Sequence, residues 1–228
     1  MATVTAPQQI HAPDHFFLEN IRWQTYLMLL EDLDDRHIRL TYDHGRLEIM
    51  APSYRHESVS FLLAQIIVVL AEELEIPFIA AGRTTFKREN LEKGLEPDDC
   101  FYFKSSPLIV GKTELDLTQD PPPDLAIEVD VTRSVLDRMS IYASLGVPEI
   151  WRIHEKGVEV YLLNEEADYE LSEGSPTFPG VAMRDIVAFI HQHHTQDQLK
   201  FLKSVRTWAR KKILPVGRGH KTQNDESH

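Results

Sequence analysis

The hydrophobic and polar positions fall into blocks of two kinds, helical spacing and strand alternation, and their order predicts a mixed α/β chain. Trp23, Tyr26, Leu27, Leu30 and Leu33 recur at helical spacing and predict a short helix over 21–33, with Asn20 placed to cap it. A hairpin follows, with strands at 37–42 and 46–50 around Asp43, His44 and Gly45, the glycine suiting a turn that needs positive φ. From about His56 to Leu74 the chain is apolar on most sides, which predicts a long helix buried against a sheet. Only its first turn, Arg55, His56 and Glu57, is strongly polar. Strands are expected at 78–80, 84–87 and 98–103, the segment around Gly94 reads as a turn, and 105–123 reads as a connecting loop ending in three prolines.

The stretch from Pro121 to Glu155 reads as strand, helix, strand. Side chains of a strand alternate between its faces, so Leu125, Ile127 and Val129 share one face, and Asp124, Ala126, Glu128 and Asp130 share the other. Three carboxylates on one face, with no cation on the strand itself, call for a metal ion, a proton or open water. The helix is expected over 134–145, closed by Gly146 with Pro148 beyond it. A hairpin at 149–154 and 158–163 turns at Lys156 and Gly157, and 169–171 suits an edge strand. A last helix over 196–213 has an apolar face (Phe201, Leu202, Val205, Trp208, Ala209, Ile213) and a basic one (Lys203, Arg206, Arg210). The expected division is a disordered arm over 1–15, one domain over 16–190, a basic amphipathic helix over 191–214 and a disordered tail over 215–228.

Composition narrows the class. At 228 residues with 42% hydrophobic content, the chain suits one domain with a real core. The single cysteine, Cys100, excludes an intrachain disulfide framework and reads as a packed thiol of a reducing compartment. The first residues lack the basic start and apolar run of a signal peptide, and the run Phe61–Ala71 is too short to span a bilayer. A cytoplasmic protein with no membrane partner is expected. The net charge of −12 argues against nucleic acid as a partner, but its distribution is uneven. Residues 200–221 hold eight Lys and Arg and no acid, whereas residues 1–199 hold 16 basic and 34 acidic side chains. His191, His193 and His194 have no accompanying cysteine and match no standard zinc spacing.

The sharpest candidate chemistry joins two strands. Asp98, after Glu96 and Pro97, opens one; Glu128 lies on another. Two carboxylates brought together in this way offer the oxygen donors that Mg²⁺ or Mn²⁺ prefers. Around them the sequence resembles the bacterial putative restriction endonuclease family of the PD-(D/E)xK nuclease superfamily. The resemblance rests on Gly82 and Arg83, on Glu96-Pro97-Asp98 with Phe101 and Tyr102, on Pro123 to Val129, on Tyr142, and on Gly146 to Glu149 with Trp151. The hairpin with Gly45 and Glu48, and His56 at the helix start, also fit, so the match runs in order from about Trp23 to Leu162.

The resemblance implies a restriction-endonuclease-like mixed sheet flanked by helices. It implies Asp98 and Glu128 as ligands of a divalent cation, with Glu57 as a possible third and His56 and Tyr142 in support. The superfamily's lysine, two residues after the glutamate, is replaced by Asp130, which could hold water or a second ion. In many relatives a basic residue stands four before the helix tyrosine; here it is Arg138, which can offset developing phosphate charge but cannot serve as a general base. Lys87 is an alternative source of that positive charge. The expected function is a metal-dependent endonuclease on DNA, acting as a homodimer without a small-molecule cofactor. Two rivals stay open: a binding or regulatory module of the same fold with catalysis lost, and a self-associating protein whose basic helix pairs with a neighbour's acidic body.

Overall fold

Two sheets carry the chain in the computed structural model, which describes residues 15–130, 134–154, 156–193 and 196–213. Most of the expected arm, the whole expected tail and His194 lie outside these residues, whereas His15 already belongs to a strand. The first sheet is antiparallel throughout. It joins β1 (His15–Leu18), β2 (Arg39–Asp43), β3 (Arg46–Met50), β5 (Phe86–Arg88) and β6 (Lys93–Leu95) in the order β1-β3-β2-β6-β5. The second is the expected mixed sheet. It joins β4 (Ile79–Ala80), β7 (Asp99–Tyr102), β8 (Leu125–Val129), β9 (Glu149–His154), β10 (Gly157–Leu163) and β11 (Tyr169–Ser172) in the order β11-β10-β9-β8-β7-β4. Its one parallel pair, β8 with β9, is linked by the helix α4 (Arg138–Leu145), because parallel neighbours need a crossover.

All five residues of β8 are buried. Its alternation nevertheless sorts them between two packing layers. Leu125, Ile127 and Val129 meet the helix α2 (Tyr54–Glu73) in the main core, with Leu63, Ile66, Ile67, Phe101, Trp151 and Phe178. Ala126 packs on the other side with Ile141, Tyr142 and Leu145 of α4. Glu128 shares that face, and this is why a helix carrying Arg138 and Tyr142 meets it. A third cluster, Trp23, Tyr26, Leu40, Tyr42 and Leu47, seats the helix α1 (Trp23–Asp32) on the first sheet.

α2 begins at a Ser53 cap, whose hydroxyl accepts the His56 amide at 3.2 Å. Taken whole, α2 is long and apolar enough to cross a membrane, unlike the shorter run read from the sequence; here its apolar residues pack against the second sheet and two C-terminal helices. The first of those helices, α5 (Met183–Gln192), was not expected. The second, α6 (Gln198–Lys212), is the basic amphipathic helix, and it docks on its own chain. Phe201, Val205 and Ala209 are buried, while Arg206 and Arg210 pair with Glu73, Arg206 Nε at 3.0 Å and Arg210 Nε at 2.6 Å.

Other expectations change in detail. Asn20 does not cap α1: it has φ 59°, and Arg22 holds the cap position without a side-chain bond. Gly94 is not a turn but the centre of β6, paired to Tyr42 and Lys87, and a Cβ there would meet the Tyr26 ring. The 105–123 connection contains a single helical turn, α3 (Ser106–Ile109). α4 starts at Arg138 rather than 134, because the Asp137 carboxylate caps it by accepting the Ser140 amide at 3.3 Å.

Candidate active site

The antiparallel register of β7 and β8 pairs Asp99 with Ile127, so one residue further Asp98 stands across from Glu128. The ladder continues there: the Asp98 amide donates to Ile127 O at 3.2 Å, and the Val129 amide donates to Asp98 Oδ2 at 2.7 Å. Residues opposite one another in such a pair face the same side, which brings the two carboxyl groups together. Both are buried.

Their surroundings push them apart electrostatically. Burial alone would raise the Asp98 pKa, but the His56 ring, with Nε2 3.2 Å from Oδ2, the electrostatic pull of His56 and Arg138, and the Val129 amide together hold it below the ordinary range. For Glu128 burial raises the pKa, the Asp98 charge adds to the rise, and Arg138 and Tyr142 offset it only in part. Arg138 is the counterion. Its Nε donates to Glu128 Oε2 at 3.0 Å and its Nη2 to Oε1 at 2.6 Å, with Glu96 O at 2.8 Å and Thr41 Oγ1 at 2.5 Å taking further donors. Burial would strip its proton, yet the Glu128 charge raises its pKa further above an already high value. The Tyr142 hydroxyl donates to Glu128 Oε1, and burial, followed by the Glu128 charge, keeps that phenol protonated.

Asp98, Glu128 and Arg138 border a cavity of about 340 Å³ that opens between the two sheets. His56 and Asp130 line it too, and so do Thr41, Glu48 and Arg152, which the sequence reading did not single out as site residues. Glu48 is 3% exposed; it accepts from Val135 N at 3.0 Å and from the Ser134 hydroxyl, and lies 3.0 Å from His15 Nδ1. Thr41 and Glu48 are cross-strand partners. Their polar positions alternate with Leu40, Tyr42, Leu47 and Ile49, which reads as a solvent face; the polar face in fact looks across at the second sheet.

The remaining expected residues are dispersed. Asp124 is not in the site: its carboxylate accepts the Phe103 and Ser105 amides at 2.7 and 2.9 Å and fixes the loop after β7. Asp130 is neutralised by Arg152 at 2.7 Å. The three acids of the β8 face are therefore not an uncompensated row, because neighbouring strands and α4 supply partners that the strand itself lacks. Glu57 pairs with Arg39 at 2.9 Å and with Arg83, and it stands beside the cavity lining rather than in it. Lys87 lines a different depression with Arg83, Thr85 and Glu96. Cys100 is fully buried with its thiol raised in pKa by burial, donating to Gly82 O at 3.3 Å.

Among the described residues no three or more His, Cys, Asp and Glu side chains form a ready metal cage. Two carboxylates suffice for Mg²⁺, which keeps several of its waters. Each carboxylate also retains acceptor capacity. Asp98 Oδ1 has Arg39 Nε at 3.5 Å, too long for a good hydrogen bond, and among the described residues Glu128 Oε2 accepts from Arg138 Nε alone. The donor set thus fits a divalent ion held by Asp98 and Glu128.

Comparison with curated proteins gives no significant match. Among solved structures, the chain is similar to a putative nuclease belonging to DUF820 from Anabaena variabilis ATCC 29413. The two share 16% identity over 66% of this chain and 90% of that one, with a TM-score of 0.49. A family model described as Uma2, putative restriction endonuclease, matches residues 23–189. That span takes in Asp98, Glu128, Arg138 and Tyr142 in the order the fold uses them, and the chain belongs to the Uma2 putative restriction endonuclease family.

Proposed function

We propose that this chain is a nuclease that hydrolyses phosphodiester bonds in DNA and depends on Mg²⁺ or Mn²⁺ held by Asp98 and Glu128. The observation that carries the reading is the buried acid pair across the β7–β8 ladder, opening on one cavity. A bound cation would neutralise phosphate charge and generate a nucleophilic hydroxide at neutral pH. The protein's own residues hold the pair ready. His56 and the Val129 amide fix Asp98 as an anion, while Arg138 and Tyr142 fix the orientation of Glu128. Arg138 cannot take a proton from water, so no general base is assigned to it. The acidic body favours the cation and disfavours DNA. A homodimer would let two such sites address two strands. A reducing cytoplasm suits the lone thiol.

The test is incubation with plasmid and single-stranded DNA in Mg²⁺ or Mn²⁺, beside Asp98→Ala and Glu128→Ala. Cutting by the wild type that both substitutions abolish is the expected result; cutting that survives them overturns the assignment. A second reading is favoured by the bidentate Arg138–Glu128 pair, which already neutralises one acid. In it the site binds but does not cut, and metal binding without any cleavage is its signature.

A further inference from the structure

Arg138 stands where the family resemblance places a basic residue, yet its donors are committed. Of the five N–H groups of a guanidinium, four point at Glu128 Oε1 and Oε2, Glu96 O and Thr41 Oγ1. It is closed in by the two sheets, with 15% of its side chain exposed. A cation so engaged can neutralise Glu128, but it has little left to offer a phosphate arriving from the cavity.

The cavity holds a second guanidinium. Arg152 lies on β9 in register with Glu128, so its side chain leaves the sheet on the same side as the acid pair. It lines the cavity, and 37% of its side chain reaches solvent. Asp130, at the end of β8, holds it at 2.7 Å, and Tyr161 of β10 lies beside it. Among the described residues lining the cavity, Arg138 and Arg152 are the two guanidinium groups, and no lysine is present.

We infer that Arg152, not Arg138, is the side chain that binds a phosphate group of the nucleic-acid backbone in this cavity, with Asp130 as its positioning partner. The inference rests on the nuclease reading above and assigns a residue within it. A planar guanidinium fork matches two phosphate oxygens, and an arginine at the cavity mouth can exchange one anionic partner for another. The motif lysine, replaced at Asp130, is thus answered from the neighbouring strand: the acid that took its place holds the arginine that meets the phosphate. Asp130 then acts through Arg152 rather than on a second ion.

The test is the salt dependence of binding to a fluorescent 20-base-pair duplex, with Ca²⁺ in place of Mg²⁺ to keep the DNA whole. Each phosphate neutralised contributes about 0.9 to the slope of log K against log salt. Arg152→Gln is expected to weaken binding about tenfold, as for one lost charge-assisted contact, and to flatten that slope by about one. Arg152→Lys keeps the charge and is expected to keep the slope, whereas a purely structural role would leave the slope unchanged in Arg152→Gln as well. If Arg152→Gln binds with wild-type affinity and slope while the wild type cuts DNA, this inference falls and the nuclease reading stands. If the wild type neither binds nor cuts nucleic acid, both fall.

Discussion

Arg138 grips both carboxylate oxygens of Glu128, Nε to Oε2 at 3.0 Å and Nη2 to Oε1 at 2.6 Å, inside the junction of two sheets. Through Thr41 the same guanidinium also reaches the first sheet, so one side chain ties the two layers beside the site. Removing one partner of a buried pair leaves an uncompensated charge, at a cost of about 3–5 kcal/mol. Arg138→Gln is therefore expected to lower unfolding free energy by that order in urea denaturation. The pH dependence has a definite sign. Without Arg138 the Glu128 pKa, already raised, rises further, so the folded variant binds its proton more tightly than the unfolded chain does. The deficit against wild type should be small at about pH 5 and widen toward pH 7.5.

The acid pair predicts metal-linked stability that does not depend on turnover. An ion that binds only the folded state stabilises it by RT ln(1 + [L]/Kd), about 2.7 kcal/mol at a hundredfold excess over Kd. Melting in increasing Mn²⁺ should move the wild-type transition upward with concentration. Asp98→Asn and Glu128→Gln each remove a ligand charge and are expected to leave the transition where it stands without metal. An equal upward shift in all three proteins would place the ion elsewhere.

How far the site was legible depended on whether a residue's role is set along its own strand or across to another. Asp98, Glu128, Arg138 and Tyr142 sit in ordered motifs, and the β7–β8 register with the α4 crossover brings them together. Asp124 and Asp130 lie on the same strand face as Glu128, but alternation says nothing about the Ser105 loop or Arg152 that meets each. Thr41 and Glu48 share the polar face of a hairpin, and a hairpin read alone has no second sheet opposite that face. Lys87 stands on β5, an edge strand of the first sheet, and only the strand order shows that it is turned to a different depression. α5, by contrast, repeats Met183, Ile186, Val187 and Ile190 at helical spacing, so this helix was legible in the sequence, and its packing on α2, β10 and α6 buries Ile186 and Phe189.

Gly94 shows the same limit in the fold and gives a sharp prediction. Read alone it suggested a turn; in β6 it is a close approach, because a Cβ there would lie 3.0 Å from Cε1 and Cζ of Tyr26. Tyr26 is fully buried and stacked on Tyr42 at 4.9 Å between ring centroids, so it cannot swing aside. Overpacking of this kind costs typically about 1–3 kcal/mol. Gly94→Ala is expected to lower the denaturation midpoint accordingly, and Tyr26→Phe in the same background should restore part of the loss by removing the nearest atom. A neutral Gly94→Ala would mean that α1 rides freely on the sheet.

The basic helix answers to acid in a way that can be followed locally. Arg210 donates to Glu73 through Nε at 2.6 Å and Nη2 at 3.0 Å, and Arg206 adds Nε at 3.0 Å. The Arg210 hydrogen bonds, opposed by desolvation and joined by the charges of Arg210 and Arg206, hold Glu73 below its ordinary pKa of 4.5. A depressed carboxyl pKa contributes stability that is present above the unfolded value and lost as pH falls through the folded one. Amide exchange across residues 198–212 should therefore be faster in Glu73→Gln than in wild type at about pH 7, with the two converging as pH drops below 4.5. If Glu73→Gln leaves exchange in α6 unchanged at neutral pH, then Phe201, Val205 and Ala209 hold the helix without these ion pairs, and the basic face is free to act elsewhere.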